Sequence, residues 1–388
     1  MTTLDFATTR GRQRRVISYG FLSTAPPTPC GLATFTAALG ARLELQGALV
    51  HLVRVLDVPD GESASGFPIL GELIGSQPST IASAASALNR CDVAVVQHEF
   101  GIFGGVDGAD VVKVLDLVRV PVIAILHTVL QRPTKNQVAV MNAVLARVDV
   151  AVVMTKAAAK TLRKLHAIGS TVIEVIPHGA VVDRNVKSRV RGARPVILTW
   201  GLIGPGKGIE WAIDAMGELK DLQPLPLYIV AGCTHPKVLA RQGDVYRQSL
   251  EQRTNAIRSM VRFDNTYRDL ASLNTLIASA DVVVLPYDSM DQATSGVLVD
   301  AVAAGCPVIA TAFPHASELL SGGVGIIVPH GDPHALARAI RRVITDASLA
   351  ADMASHARRK ALSLSWRTVA DSYQSVATRL LERVGVQA

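Results

Sequence analysis

Aromatic rings make up only 4% of this 388-residue sequence, and its cysteines number four, Cys30, Cys91, Cys233 and Cys306. No two of the cysteines lie close together, so their spacing offers neither a zinc site nor a redox pair; reduced thiols in a cytoplasmic protein are expected. No apolar run reaches the ~18 to 20 residues that a membrane-spanning helix needs. Arg10, Arg12, Arg14 and Arg15 supply much of the net charge of +7. The ~7 to 15 apolar residues of a secretory leader do not follow them, so export is not expected. These arginines read either as a solvated tail or as a contact with anionic lipid or substrate at a membrane face. The basic residues are not interleaved with aromatics, and no helix-turn-helix or RNA-binding signature occurs, which argues against nucleic acid.

What the sequence has in quantity is aliphatic: the hydrophobic class reaches 49%. A core of Ala, Val, Leu and Ile suits helices stacked on parallel strands, and ~150 residues per domain makes two domains the working number. Short unbroken apolar runs, each followed by a turn and a helical period, recur as in strands buried on both faces. Residues 16–21 are the first, and the Pro-rich loop after them delivers Gly31 to a strand-to-helix turn. A glycine there either serves the turn alone or keeps the helix start open to a ligand. Residues 48–56 read as the second strand, and 59–80, rich in Gly, Ser and Pro, as a long surface connection. The run 93–96 delivers Gln97-His98-Glu99-Phe100-Gly101 to a C-terminal strand edge, where ligands bind in open α/β sheets. His98 and Glu99 are therefore functional, or members of a turn whose polar groups bond the backbone. Residues 121–126 end in His127-Thr128, and 172–176 lead to Pro177-His178-Gly179. From 182 to 194 the composition turns charged and loses its apolar period, which marks an interdomain linker.

The strand at 195–199 opens the second domain and runs into Gly201-Leu202-Ile203-Gly204-Pro205-Gly206-Lys207-Gly208, ahead of a helix with Ile209, Ala212, Ile213 and Met216 on one face. Such a turn cradles phosphates because the backbone can come close, and Lys207 adds a positive charge. Gly201 to Lys207 has the spacing of a nucleotide-hydrolase P-loop, but Gly208 stands where a Ser or Thr must hold magnesium. Residues 282–329 then read as strand, loop, helix, strand, loop, strand. Thr294-Ser295-Gly296 opens the helix of that segment, and its free backbone N–H groups and positive dipole end make a ready phosphate site, flanked by Gln292 and Asp300. Asp332 and Pro333 read as the cap and first residue of a later helix, and Ser365-Trp366 as the start of the last one.

Residues 282–329 resemble the nucleotide-sugar site of retaining glycosyltransferases of the GT-B architecture, in the large family numbered four, glycosyl transferases group 1. The ending Ala303-Ala304-Gly305-Cys306-Pro307-Val308-Ile309 fits that family, and so do Gly201, Lys207 and Gly208. The paired family glutamates are Gln292 and Asp300 here, a family arginine is Leu202, and the family's Pro-Asn-Gly step reads Pro177-His178-Gly179. The stretch 97–105 is similar to one branch of the family.

The resemblance implies an α/β fold of two facing Rossmann-like domains, with parallel sheets covered by helices on both faces. It divides the chain into an acceptor domain at 1–185, a nucleotide-sugar domain at 192–364 and a terminal helix at 365–388 that crosses back and is anchored by Trp366. It implies retaining transfer of a hexose from a nucleoside-diphosphate sugar to a hydroxyl acceptor, carbohydrate or lipid-linked. No cofactor or metal is expected, since the sequence has no Asp-x-Asp pair. His127, Lys207 and Gln292 are then the catalytic group. Gly31, Gly201, Gly204, Lys207, Thr294, Ser295, Gly296, Asp300 and Glu318 hold the donor, and His98, Glu99 and His127 line the acceptor or sugar pocket. A sugar phosphorylase, a nucleotide-sugar epimerase or a catalytically silent binding protein on the same fold are the alternatives.

Overall fold

The computed structural model describes residues 15–28, 30–59, 66–75, 77–182, 193–266, 268, 270–290 and 294–385. Arg10, Arg12, Arg14 and most of the linker segment lie outside them, as does Gln292. Seven strands form the first sheet: β1 (Ser18–Ser23), β2 (Leu49–Leu56), β3 (Ile69–Ile74), β4 (Val93–His98), β5 (Val122–Leu126), β6 (Val150–Val153) and β7 (Val172–Val175). Six form the second: β8 (Val196–Trp200), β9 (Leu227–Ala231), β10 (Val261–Asp264), β11 (Val282–Leu285), β12 (Val308–Thr311) and β13 (Gly325–Val328). Their orders are β3-β2-β1-β4-β5-β6-β7 and β10-β9-β8-β11-β12-β13. The pairings along both sheets are parallel.

The central strands β4, β5, β6, β11 and β12 are buried along their whole length, which is why their sequences do not alternate. Each sheet carries an apolar cluster on either face, so both are sandwiched between helices. In each, the strand order reverses beside the first strand, between β1 and β4 and between β8 and β11. Open α/β sheets have their ligand crevice at that switch point.

One stretch departs from its expectation. Residues 59–80 read as a surface connection, yet they supply β3. Gly71 and Glu72 interrupt its apolar run because β3 is an edge strand; Glu72 accepts from the buried guanidinium of Arg54 at 2.6 Å instead of packing.

The last described helix, Trp366–Arg383, starts at a Ser365 cap and follows the second domain in sequence, but packs on the first. Its Val369, Tyr373, Val376, Ala377 and Leu380 share one core with Tyr19, Phe21 and Phe35. Trp366 lies flat against Gly179, where a Cβ would meet the indole at 2.2 Å. Further contacts join the domains. Gln131 Nε2 donates to the Met290 carbonyl at 3.1 Å, Lys237 Nζ to the Gly101 carbonyl at 3.4 Å, and Glu318 accepts from the backbone N–H groups of Lys156 and Ala157, both at 3.0 Å.

Candidate functional site in the interdomain cleft

The two switch points face each other across a cleft of about 600 Å³. Its first-domain wall begins at helix Gly31–Leu45. The helix start is capped by the Cys30 thiol, which accepts from the Ala33 N–H. A Cβ on Gly31 would meet nothing within 4 Å, so the fold does not require a glycine there; what its absence leaves is open space at a helix N-terminus, on the cleft wall. His127, at the end of β5, shares the same wall. Its Nε2 bonds the Gln97 side-chain oxygen, and because a carboxamide oxygen only accepts, Nε2 carries the proton and Nδ1 keeps its lone pair. Burial, with smaller contributions from His178 and His98, pushes its pKa down to about 3, so the imidazole is neutral at pH 7. Glu99 also lines the cleft, with Oε2 accepting from the Gly101 N–H at 2.7 Å.

The second-domain wall is built from strand-end turns. Gly201 ends β8 and Gly232 ends β9, and the two turns cross so closely that a Cβ on Gly232, whose φ is +133°, would lie 2.0 Å from the Gly201 carbonyl oxygen. Beyond them helix Gly296–Ala303 opens toward the cleft, with Thr294, Gly296 and Asp300 on the wall. Burial pushes the Asp300 carboxyl up to about 7. Arg268, after β10, is the guanidinium on this wall, paired with Asp264.

Five expected site residues stand elsewhere. Ser295 is a cap: its hydroxyl accepts from the Leu298 N–H at 3.2 Å and its own N–H donates to His315 Nδ1 at 2.8 Å. Gly204 is buried, and a Cβ there would press on Val238 at 3.2 Å. The Lys207 ammonium rests 4.4 Å above the Tyr287 ring, in a cation–π contact off the cleft wall. His98 is fully buried beside Phe100 and Phe103, its ring nitrogens have no hydrogen-bond partner among the described residues, and burial lowers its pKa to about 4. Glu318 does not reach the donor side, because both carboxylate oxygens cap helix Lys156–Leu165 of the first domain.

Phe35, His178, Trp366 and Arg268 are cleft residues that the site reading passed over. Phe35 touches His127, His178 and Trp366 edge-on at 5.0, 5.0 and 5.1 Å. Arg268 was open to discovery, since it follows a strand end as the glycines do. Phe35 looks in the sequence like any helix core position.

Residues 194–346 match the model of the family described as glycosyl transferases group 1. The chain carries a glycosyl transferases group 1 domain. That domain holds the turns Gly201–Gly208 and Thr294–Gly296, thus the whole second wall of the cleft. Among curated proteins, the chain is 28% identical over 184 residues to D-inositol 3-phosphate glycosyltransferase of Corynebacterium glutamicum, covering 47% of this chain and 42% of that one. It is 27% identical over 226 residues to phosphatidyl-myo-inositol mannosyltransferase of Mycobacterium leprae, covering 55% and 56%. The matches thus span about half the length of these relatives. Among solved structures, Anabaena Alr3699/HepE in complex with UDP superposes with a TM-score of 0.74 at 18% identity, covering 94% of this chain and all of that one. A glycosyltransferase from Rickettsia africae gives 0.75 at 14% identity, covering 94% and 99%. The fold beside the group 1 domain is therefore that of a GT-B glycosyltransferase.

Proposed function

We propose that this chain is a glycosyltransferase that moves a hexose from a nucleoside-diphosphate sugar to a hydroxyl acceptor, with retention of configuration and without a metal ion. The observation that carries the reading is the cleft itself. It joins two helix N-termini, at Gly31 and Gly296, to a glycine-turned strand end at Gly201 and a carboxyl at Asp300. Helix N-termini and crossed glycine turns bring backbone N–H groups to a diphosphate, and Asp300 stands one helical turn from Gly296, at the place for ribose hydroxyls. Lys207 joins the leaving phosphate by exchanging its contact with Tyr287, which costs about 0.5 to 2 kcal/mol, for a charge-assisted bond to an anion. His127, neutral and fixed by Gln97, holds its Nδ1 ready to accept from a hydroxyl of the transferred sugar.

The acceptor meets the first-domain wall around Glu99 and Phe35. The names of the relatives support an acceptor that is carbohydrate or lipid-linked. A lipid-linked acceptor places the protein at the inner face of a membrane. Among the described residues no helix is long and apolar enough to cross one.

A thermal-shift panel of nucleoside diphosphates and nucleotide sugars, with magnesium or with a chelator, tests the donor site, since a ligand of the folded state raises the midpoint. The expected result is a magnesium-independent rise with one nucleotide, reduced in Lys207→Ala. A rise with inorganic phosphate or free sugars, and none with nucleotides, would exchange this reading for a phosphorylase.

A further inference from the structure

The cleft's least explained group is a histidine from the first domain that stands against a helix of the second. A Cβ on Gly296 would lie 3.2 Å from His178 Nε2, so this ring nitrogen sits at the N-terminus of helix Gly296–Ala303. The tautomer is fixed by the other nitrogen: Nδ1 lies 2.7 Å from the Gly179 carbonyl oxygen, which can only accept, so Nδ1 holds the hydrogen and Nε2 the lone pair. Phe35 at 5.0 Å and Trp366 at 5.7 Å hold the ring in place. The ring is part of the cleft wall.

An anion drawn to that helix end meets a lone pair, which repels it. The ring cannot swap tautomers without breaking its bond to Gly179. It can accept a proton at Nε2, become an imidazolium and donate to the phosphate. We propose that His178 is a donor-phosphate ligand that takes up one proton from solvent as the diphosphate binds, and so supplies the positive charge that Leu202 does not. The inference rests on the reading of the cleft as a diphosphate site. In the free protein the ring is neutral at pH 7, because burial holds its pKa at about 4 against the opposing pull of the Gly179 bond. The ionisable groups around it are His127 at the end of β5, His315 on helix Pro314–Leu319 and Asp300 on helix Gly296–Ala303. The two histidines are themselves held neutral, at about 3, and Arg268 is already paired with Asp264. A diphosphate beside Nε2 adds negative charge there and raises the imidazole pKa.

The test is calorimetric titration with inorganic pyrophosphate, which lacks the ribose that would engage Asp300. It is run in two buffers of different ionisation enthalpy on the wild type and on His178→Gln, whose amide places a permanent donor near Nε2. The wild type is expected to take up about one proton more per bound pyrophosphate than the variant at pH 7. Its affinity relative to the variant is expected to fall as pH rises from 7 to 8.5. Equal proton uptake and parallel pH profiles would overturn the assignment of His178. If no pyrophosphate or nucleoside diphosphate binds either protein at any pH, the donor-site reading falls and the inference falls with it. His178→Asn, with a melting curve to check folding, is the second variant should Gln disturb the Phe35 packing.

Discussion

Asp300 carries the cleft's costliest charge. Its carboxyl has been pushed up to about 7 by burial, whereas in the unfolded chain it titrates near 4. Between those values the folded state keeps a proton that the unfolded state gives up, so stability falls as pH rises through the window, by at most about 4 kcal/mol and less where cleft water screens the charge. Asp300→Asn is therefore expected to raise the melting temperature over wild type at pH 8 and to leave it little changed at pH 4.5; equal differences at the two values would refute the assignment. The glycines divide sharply. Gly31→Val adds a side chain only to open space, so it should keep the melting temperature and weaken nucleotide binding at least tenfold, as read by titration. Gly232→Ala meets a carbonyl oxygen at 2.0 Å from a left-handed φ, and loss of soluble, folded protein is expected. At this scale the place of Gly31, Gly201 and Gly296 on the cleft wall was legible, because each sits at a strand-to-helix turn. His98 stands off the cleft wall because it is the last residue of β4 itself, where its side chain packs beside Phe100 and Phe103. The cap that Glu318 makes was not legible, because the backbone it bonds lies 161 and 162 residues earlier, in the other domain.

At the scale of elements, that capping contact is the most testable. A carboxylate at a helix N-terminus contributes about 0.3 to 1 kcal/mol when exposed and up to ~2 kcal/mol when partly buried. Here it also ties helix Pro314–Leu319 to helix Lys156–Leu165 across the domain boundary. Glu318→Ala is expected to lower stability by about 1 kcal/mol, measured by denaturant midpoint, and Glu318→Gln to restore about half of that. A full restoration would mean that charge plays no part. The buried strands were the most readable elements: β9 and β11 have the bounds that their apolar runs suggest, since a strand covered on both faces shows itself by composition alone. β3 was hidden because an edge strand tolerates Gly71 and Glu72, which in isolation look like loop.

For the whole molecule, the parallel α/β class could be read from composition and the recurring strand-turn-helix pattern, and the facing of two switch points from the family resemblance. How far apart the lobes stand could not, because it depends on contacts such as Gln131 with Met290 and His178 with Gly296 that no local pattern encodes. Trp366–Arg383 makes the two halves interdependent, since its apolar face completes the core around Tyr19 and Phe21. A chain ended at Leu364 is expected to expose that core, bind a hydrophobic dye and lose its cooperative melt, and a peptide of residues 365–385 added in trans to reverse the dye binding. The same helix sets an order of events at the ribosome. The first sheet is synthesised early but lacks part of the cover on one face until the second has followed. At ~5 to 20 residues per second the wait is roughly 10 to 40 s. During that interval the nascent first lobe presents an apolar face to the cell, so this protein's yield should depend on how fast translation crosses the second domain and on whatever chaperone covers that face meanwhile.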